Sequence, residues 1–383
     1  MKKLLLYNGF SNIMLEVIVW MIYLKEQGWS VTEIALLEGL FTVAQAGFEF
    51  PAGIISDRIG HKAALLSGEI ICVLYLITYF FPTVHWLIYI GFVLFALGLA
   101  LISGTDVSLV YETAGTETDP QYLKALGYFN FMGILAMAFG NAVGGWIASY
   151  SWPLLFLLAI GTRIISGLLV LGLDAQQISG ETTEVVTFKG IITRFLSFLR
   201  HERNFRWLVV AMSFSAAAVT LSYQYGPLML RELHFSTQLI SLVFGGLALV
   251  AAGLVLLVDR LTRVIAPHVL IMLLQMVSLL FFASFLTHNR MIVVLGLVVI
   301  NVVFEMWHLL FENQIQDLAY EHTRASAFSL ATFTESAILT VGSTLVSLLT
   351  TTMNLLNVVS YLGMGLLAIA LLSMVSAWRH SSN

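Results

Sequence analysis

Gly53-Ile-Ile-Ser-Asp57-Arg58-Ile-Gly60-His61-Lys62 lies between two apolar runs, Val31 to Ala52 and Ala63 to Phe81. Each run is about the length needed to cross a bilayer core of about 30 Å as a helix. The charges are packed into the few residues between them. Two glycines let helix ends approach and the chain turn sharply. Asp57 can cap a neighbouring helix N-terminus, and Arg58 can pair with a carboxylate across a gap between helices. The stretch therefore predicts a tight charged loop between two membrane helices.

The rest of the chain repeats that pattern. Of 383 residues, 59% are hydrophobic and 10% charged, where soluble chains carry roughly a quarter charged residues. Mean hydropathy is +0.91. Apolar run length places the spans at Leu4 to Leu24, Val31 to Ala52, Ala63 to Phe81, Trp86 to Val110, Leu126 to Ala148 and Pro153 to Leu173. The second six are Phe205 to Leu230, Thr237 to Val258, Ala266 to Leu286, Met291 to Phe311, Ala325 to Leu349 and Leu355 to Trp378. Alternation is absent, and backbone groups in lipid must be satisfied within their own segment, so the spans are helices. Twelve spans leave about 143 residues for loops and termini, too few for a separate soluble domain. Lys2 and Lys3 lead directly into a full-length span with no small-residue cleavage site, so no cleaved signal is expected. Cys72 is the single cysteine, which excludes an intramolecular disulfide and a cysteine-built metal site. A net charge of −4 without a basic block argues against nucleic acid as a partner.

Basic residues set the orientation. With twelve spans both termini share a side, and that side holds most of the Lys and Arg, among them Lys2, Lys3, Arg58, Lys62, Arg200, Arg203, Arg260 and Arg324. The opposite side has only Lys25, Arg231 and Arg290, while Arg163 falls inside span six. The basic excess marks the cytoplasmic face. The expected location is the bacterial inner (plasma) membrane, with both termini cytoplasmic.

The chain divides into like halves. Glu112 precedes Lys124-Ala125 by twelve residues, as Glu312 precedes Arg324-Ala325. Ser30, Ile34 and Gly39 recur as Ser236, Ile240 and Gly245, and Asp57-Arg58 recurs as Asp259-Arg260. The expected organisation is a six-helix bundle over 1–173, a cytoplasmic linker over 174–204 and a second six-helix bundle over 205–383. In the linker, Phe188, Ile191, Ile192 and Phe195 alternate with Lys189 and Arg194 as in a basic amphipathic helix on the inner leaflet. Parallel repeats of this kind place a ligand site near midplane at their interface.

The loop quoted above resembles the signature of the major facilitator superfamily, G-x-x-x-D-R-x-G-R followed by Lys or Arg, with His61 where a basic residue is usual. The resemblance implies an all-α fold of twelve transmembrane helices in two pseudo-symmetric six-helix bundles. It further implies that Asp57 faces the start of span eleven and Arg58 an acid ending span four, here Glu112. The implied gating set is Gly53, Asp57, Arg58, Gly60, Lys62 and Glu112, with Asp259, Arg260, Glu312 and Arg324 in the second half. Gly140-Asn141-Ala-Val-Gly144-Gly145 in span five resembles the G-P-x-x-G-G of exporters in that superfamily, with Asn141 replacing the proline. Gly140 and Gly144 also form a G-x-x-x-G pair, which permits close helix packing in any membrane protein. The span-four arginine of many proton-coupled members is missing.

Ionisable groups inside the membrane cost roughly 2.5–3.5 kcal/mol each on insertion scales and so point to function. Glu16 is about 18 Å into span one at 1.5 Å per residue, on one stripe with Asn8 and Asn12. Glu16, Asp106 and Glu335 are the candidates for proton or ion coupling. A structural alternative pairs Glu16 with Arg163, about 15 Å into span six. Asn301, Glu305, His308 and Glu312 share one face of span ten. The expected substrate cavity takes Asn12, Tyr223, Gln224, Tyr225, Asn301, Glu305, Trp307 and His308. Glu305 and His308 at i, i+3 resemble half of a helical metal site, but no second such pair exists, and neither metal nor cofactor is expected. Glu69 reads as a gate or interface residue.

No ATP-binding loop of the G-x-x-x-x-G-K pattern occurs. The expected function is therefore secondary transport rather than catalysis: proton-coupled export of small amphiphilic or drug-like compounds by a monomer. Uptake of a polar solute such as a sugar or organic acid is the competing transport reading. A polytopic receptor or assembly partner is the reading of another class.

Overall fold

The computed structural model describes residues 1–103, 105–114, 120–173, 203–255, 258–318 and 324–381. Every regular element among them is a helix. The expected amphipathic linker helix lies outside the described residues. Among the described residues ten helices are long and apolar enough to cross a membrane, and they match the expected spans two to seven and nine to twelve. Span eight is the apolar helix Thr237–Val255. Large apolar side chains stand open along these helices, among them Trp86, Phe131, Leu168, Leu280 and Leu372. In lipid such a surface needs no cover, since the acyl chains are as apolar as the side chains.

Span one departs from the expected continuous helix. Lys2–Asn12 and Trp20–Glu26 are helical, and residues 13–19 between them are irregular. Span two also differs. Its helix runs from Val31 through Pro51 to Ile59, past the expected end at Ala52. The charged motif is thus the last turn of a helix, and the turn itself is Gly60, at φ 87°, a left-handed conformation that favours glycine. The next helix starts at His61. Span four is likewise divided, into His85–Ile102 and Thr105–Ala114.

The chain forms two compact units. The first comprises Met1–Ser30, Leu40–Thr183 and Ser236–Gly246. Within it span three packs on spans four and six, and the first part of span one packs on spans five and six. An aromatic cluster fills one end: Tyr79 stacks on Phe156 at 4.6 Å between ring centroids, and Tyr75 on Phe95 at 4.3 Å. Tyr23 donates to the Tyr79 carbonyl at 2.7 Å. Lys62 Nζ donates to the carbonyls of Leu171 and Leu173, and Lys3 Nζ to that of Gly172. These lysines satisfy carbonyls that the end of the span-six helix Trp152–Leu171 leaves without intrahelical donors.

The second unit comprises Val31–Gly39, Glu184–Phe235 and Leu247–Asn383. Span seven is its axis, packed against spans ten, eleven and twelve. Polar side chains tie these helices at depth. Gln275 donates to Ser215 Oγ at 2.6 Å, Ser213 to the Ala331 carbonyl at 3.1 Å, and Ser360 to the Phe282 carbonyl at 2.7 Å. The opening turns of span two also belong here, with Thr32 Oγ1 donating to the Ser347 carbonyl at 3.2 Å.

Candidate functional site

The break in span one needs an account, because irregular backbone at membrane depth is tolerated only where protein or a water-filled cavity satisfies it. The residues before it are poor helix interiors. Asn and Ser side chains compete for backbone groups, and Asn12 Nδ2 donates to both the carbonyl and Oδ1 of Asn8. Asn8 in turn donates across to the Phe129 carbonyl of span five at 2.6 Å. Beyond Asn12 the freed groups find partners. Thr162 Oγ1 of span six donates to the Ile13 carbonyl at 3.3 Å, and the Glu16 carbonyl accepts from the Val19 and Trp20 amides, each at 2.9 Å.

Span five supplies the seat. A Cβ added at Gly140 would stand 3.1 Å from the Met14 nitrogen, and one at Gly144 would run into the Leu15 carbonyl. The glycines therefore receive unwound backbone rather than another helix. Gly145, on the adjoining face, lies against Thr237 and Ser241 of span eight. Asn141, at the position of the usual proline, is buried beside them.

The charges at this depth are organised around Arg163. Its Nη1 pairs with Glu69 Oε2 at 3.2 Å, both side chains being 2% exposed. Glu69 Oε1 accepts from Ser11 at 2.7 Å and from Ser166 at 2.8 Å. Arg163 thus takes Glu69 as its direct ion-pair partner, and Glu16, itself 2% exposed, lies within electrostatic reach of the same guanidinium. The sequence reading missed Glu69 as partner and both serines. The only sequence signal was one charge of each sign at depth in spans three and six.

The other candidates are placed as follows. Asp106 is half-buried in the first turn of Thr105–Ala114, and Thr105 Oγ1 beside it donates to Ser56 Oγ of span two at 2.9 Å. Glu335 accepts from Thr220 Oγ1 at 3.1 Å, joining spans seven and eleven. Tyr225 and Trp307 are fully buried; Trp307 packs edge-on against Phe304 and Phe311. Tyr223 and Gln224 are half-buried, Asn301 donates to its own helix at Leu297, and Glu305 is exposed. His308 faces Glu312 at 3.7 Å, one turn on. In the motif, Gly53 has open space around it, Asp57 and Arg58 are exposed, and Asp57 lies 3.9 Å from His61. Asp259 pairs with Arg263 at 2.6 Å, and Arg260 beside it is exposed. The side chains of Glu112 and Arg324 lie outside the described residues. Among the described residues no group of three His, Cys, Asp or Glu could hold a metal ion.

A multi-pass helical membrane protein with a charged Gly-Asp-Arg-Gly motif ending its second-span helix is defined at this point. The chain belongs to the Major Facilitator Superfamily, whose sequence signature matches residues 4–343. Among curated relatives, the uncharacterized MFS-type transporter YxaM of Bacillus subtilis is 23% identical over 235 residues, 59% of this chain and 57% of that one. The methyl viologen resistance protein SmvA of Salmonella typhimurium is 31% identical over 153 residues, 39% of this chain and 30% of that one. The multidrug resistance protein MdtH of Photorhabdus laumondii is 22% identical over 164 residues, 43% and 40%. These matches therefore span less than two thirds of each relative's length. Two solved structures share the fold over nearly the whole chain. The nucleoside transporter NupG has a TM-score of 0.74 at 12% identity, covering 98% of this chain and 96% of that one. A D-xylose-proton symporter has 0.69 at 13%, covering 96% and 94%.

Proposed function

We propose that the chain is a proton-coupled secondary transporter that exports small amphiphilic compounds, cationic ones included, by alternating access of two six-helix bundles, 1–173 and 205–383. The observation that carries the coupling is a carboxyl, Glu16, buried in irregular backbone in the middle of a membrane span. Such a group is costly there unless it titrates or meets a cation. The direction of transport is supported by the resistance proteins among the relatives. In this reading Glu16 carries the proton, with Asp106 and Glu335 next in line. The polar residues Asn12, Tyr223, Gln224, Asn301, Glu305 and His308 meet the substrate as the bundles rock. The Asp57-Arg58 turn, with Glu112, Glu312 and Arg324, latches the cytoplasmic side, and Asp259-Arg260 is its weaker echo.

The test is flux of radiolabelled methyl viologen in inverted membrane vesicles, with and without an imposed pH gradient. Uptake into inverted vesicles that collapses with the gradient, and that Glu16→Gln abolishes, supports the proposal. Flux in the opposite sense, or of sugars and organic acids instead, supports uptake of a polar solute. No flux of any tested solute supports a receptor or assembly role.

A further inference from the structure

Around Arg163 the charges balance only if Glu16 is left out. Arg163 and Glu69 cancel as an ion pair, and the Glu69 carboxylate already has three donors: Ser11 and Ser166 on Oε1, Arg163 Nη1 on Oε2. Nη1 also reaches Ser11 Oγ at 3.3 Å. The other terminal nitrogen, Nη2, is buried without a hydrogen-bond partner among the described residues. A buried guanidinium N–H with nothing to meet forfeits about 1–3 kcal/mol or more, so this nitrogen needs an acceptor. Glu16 is the second carboxylate within electrostatic reach of this cation, and it sits on the one stretch of span one not held in a helical ladder.

We propose that Glu16, Arg163 and Glu69 form a single proton-binding unit, in which Arg163 Nη2 is the donor reserved for Glu16. With Glu16 protonated the unit is neutral and Arg163 belongs to Glu69, as observed. When the Glu16 O–H bond breaks, the proton passes to water and the unit carries one negative charge. The guanidinium then bridges both carboxylates, Nη1 on Glu69 and Nη2 on Glu16. The irregular residues 13–19, whose Met14 and Leu15 backbone is seated on Gly140 and Gly144, allow Glu16 to make that approach without unwinding a helix. Among the described residues, the remaining titratable side chains facing the unit are Tyr7 from span one and Cys72 and Tyr75 from span three, while Asp106 of span four couples to Tyr7. None of them supplies a second cation. This deepens the reading of Glu16 as the coupling carboxyl, and its test needs no transported compound, so export can fail while the unit stands.

The experiment compares charge-balanced and charge-unbalanced variants by folded yield in detergent, supported by infrared spectra at one neutral pH. Glu16→Gln keeps a neutral pair and is expected at wild-type yield. Glu69→Gln leaves Arg163 to Glu16 and is also expected to fold. The infrared band of a protonated acid, assigned to Glu16 by its loss in Glu16→Gln, should vanish in Glu69→Gln as Glu16 ionises to meet Arg163. The double variant Glu16→Gln/Glu69→Gln strands a buried cation and should lose yield by about tenfold or more. Adding Arg163→Met should restore it. If Glu69→Gln is as poor as the double variant, if its acid band persists, or if Glu16→Gln alone fails to fold, Arg163 serves one carboxylate only and the unit is refuted.

Discussion

Replacing Gly144 by alanine tests whether span five carries its glycines for the irregular stretch of span one. The added methyl would meet the Leu15 backbone carbonyl well inside contact distance. A side chain could rotate away, but a carbonyl in a segment already held by Thr162 on Ile13 and by the Glu16 turn cannot do so without moving the segment. Overpacking of this kind costs about 1–3 kcal/mol, and a backbone neighbour places it toward the upper end. At about 2–4 °C per kcal/mol for a domain of about 150–250 residues, the apparent melting temperature should fall by about 4–12 °C. Gly140→Ala, with its nearest atom at 3.1 Å, should cost less. Gly127 lies on the same helix with nothing within 4 Å, and Gly127→Ala should be neutral or slightly stabilising through helix propensity. The assay is thermal unfolding of purified protein in detergent, followed by loss of the monodisperse peak. If the three variants melt together, or Gly127→Ala is the worst, the glycines are not there to receive span one.

Other substitutions separate structural from transport roles. Ser166→Ala removes one of two hydroxyls on the buried Glu69 carboxylate, and should lower stability by about 1.5–3 kcal/mol in the same melting assay. Lys62→Met uncaps the end of span six and should cost about 0.3–1 kcal/mol, a shift of about 1–4 °C, with membrane abundance nearly unchanged. Asp57→Asn should leave abundance intact, since exposed charges contribute about 0–1 kcal/mol, while vesicle flux of methyl viologen falls severely. Asp259→Asn, in the echo that lacks the second glycine and already pairs locally with Arg263, should impair flux less; equal or greater loss would reverse that order.

The spans were legible because lipid imposes a length and a composition on each of them, and among the described residues ten of the expected apolar runs contain a helix long enough to cross, though spans two and ten run on past their expected ends and span four is divided. The break in span one was not. Ile13, Met14, Leu15, Val17, Ile18 and Val19 are apolar and contain no proline or glycine, so nothing in their composition distinguishes them from a spanning helix. What unwinds them is tertiary: Asn12 turned back on Asn8, and glycines of another span offering room for bare backbone. The same limit applied to the charges. Depth along a helix can be counted from sequence, and it put Arg163 and Glu16 at comparable depth. It could not say which spans are neighbours, and span three turned out to lie against span six with Glu69 facing Arg163.

The two blind spots share a cause that bears on mechanism. An unbroken span one would fix Glu16 on a helical face at constant distance from Arg163, and coupling would then require a whole helix to move. In irregular backbone the carboxyl's reach is set by a few φ and ψ angles instead, and residues of this kind absorb the large dihedral changes of hinges. The G-x-x-x-G pair that reads as ordinary helix packing is what makes such a segment sustainable in lipid, since only a surface without Cβ atoms lets the Met14 and Leu15 backbone lie against it. In the proposed proton-binding unit the glycines of span five and the carboxylate of span one therefore act together, although 128 positions separate Glu16 from Gly144 in the chain.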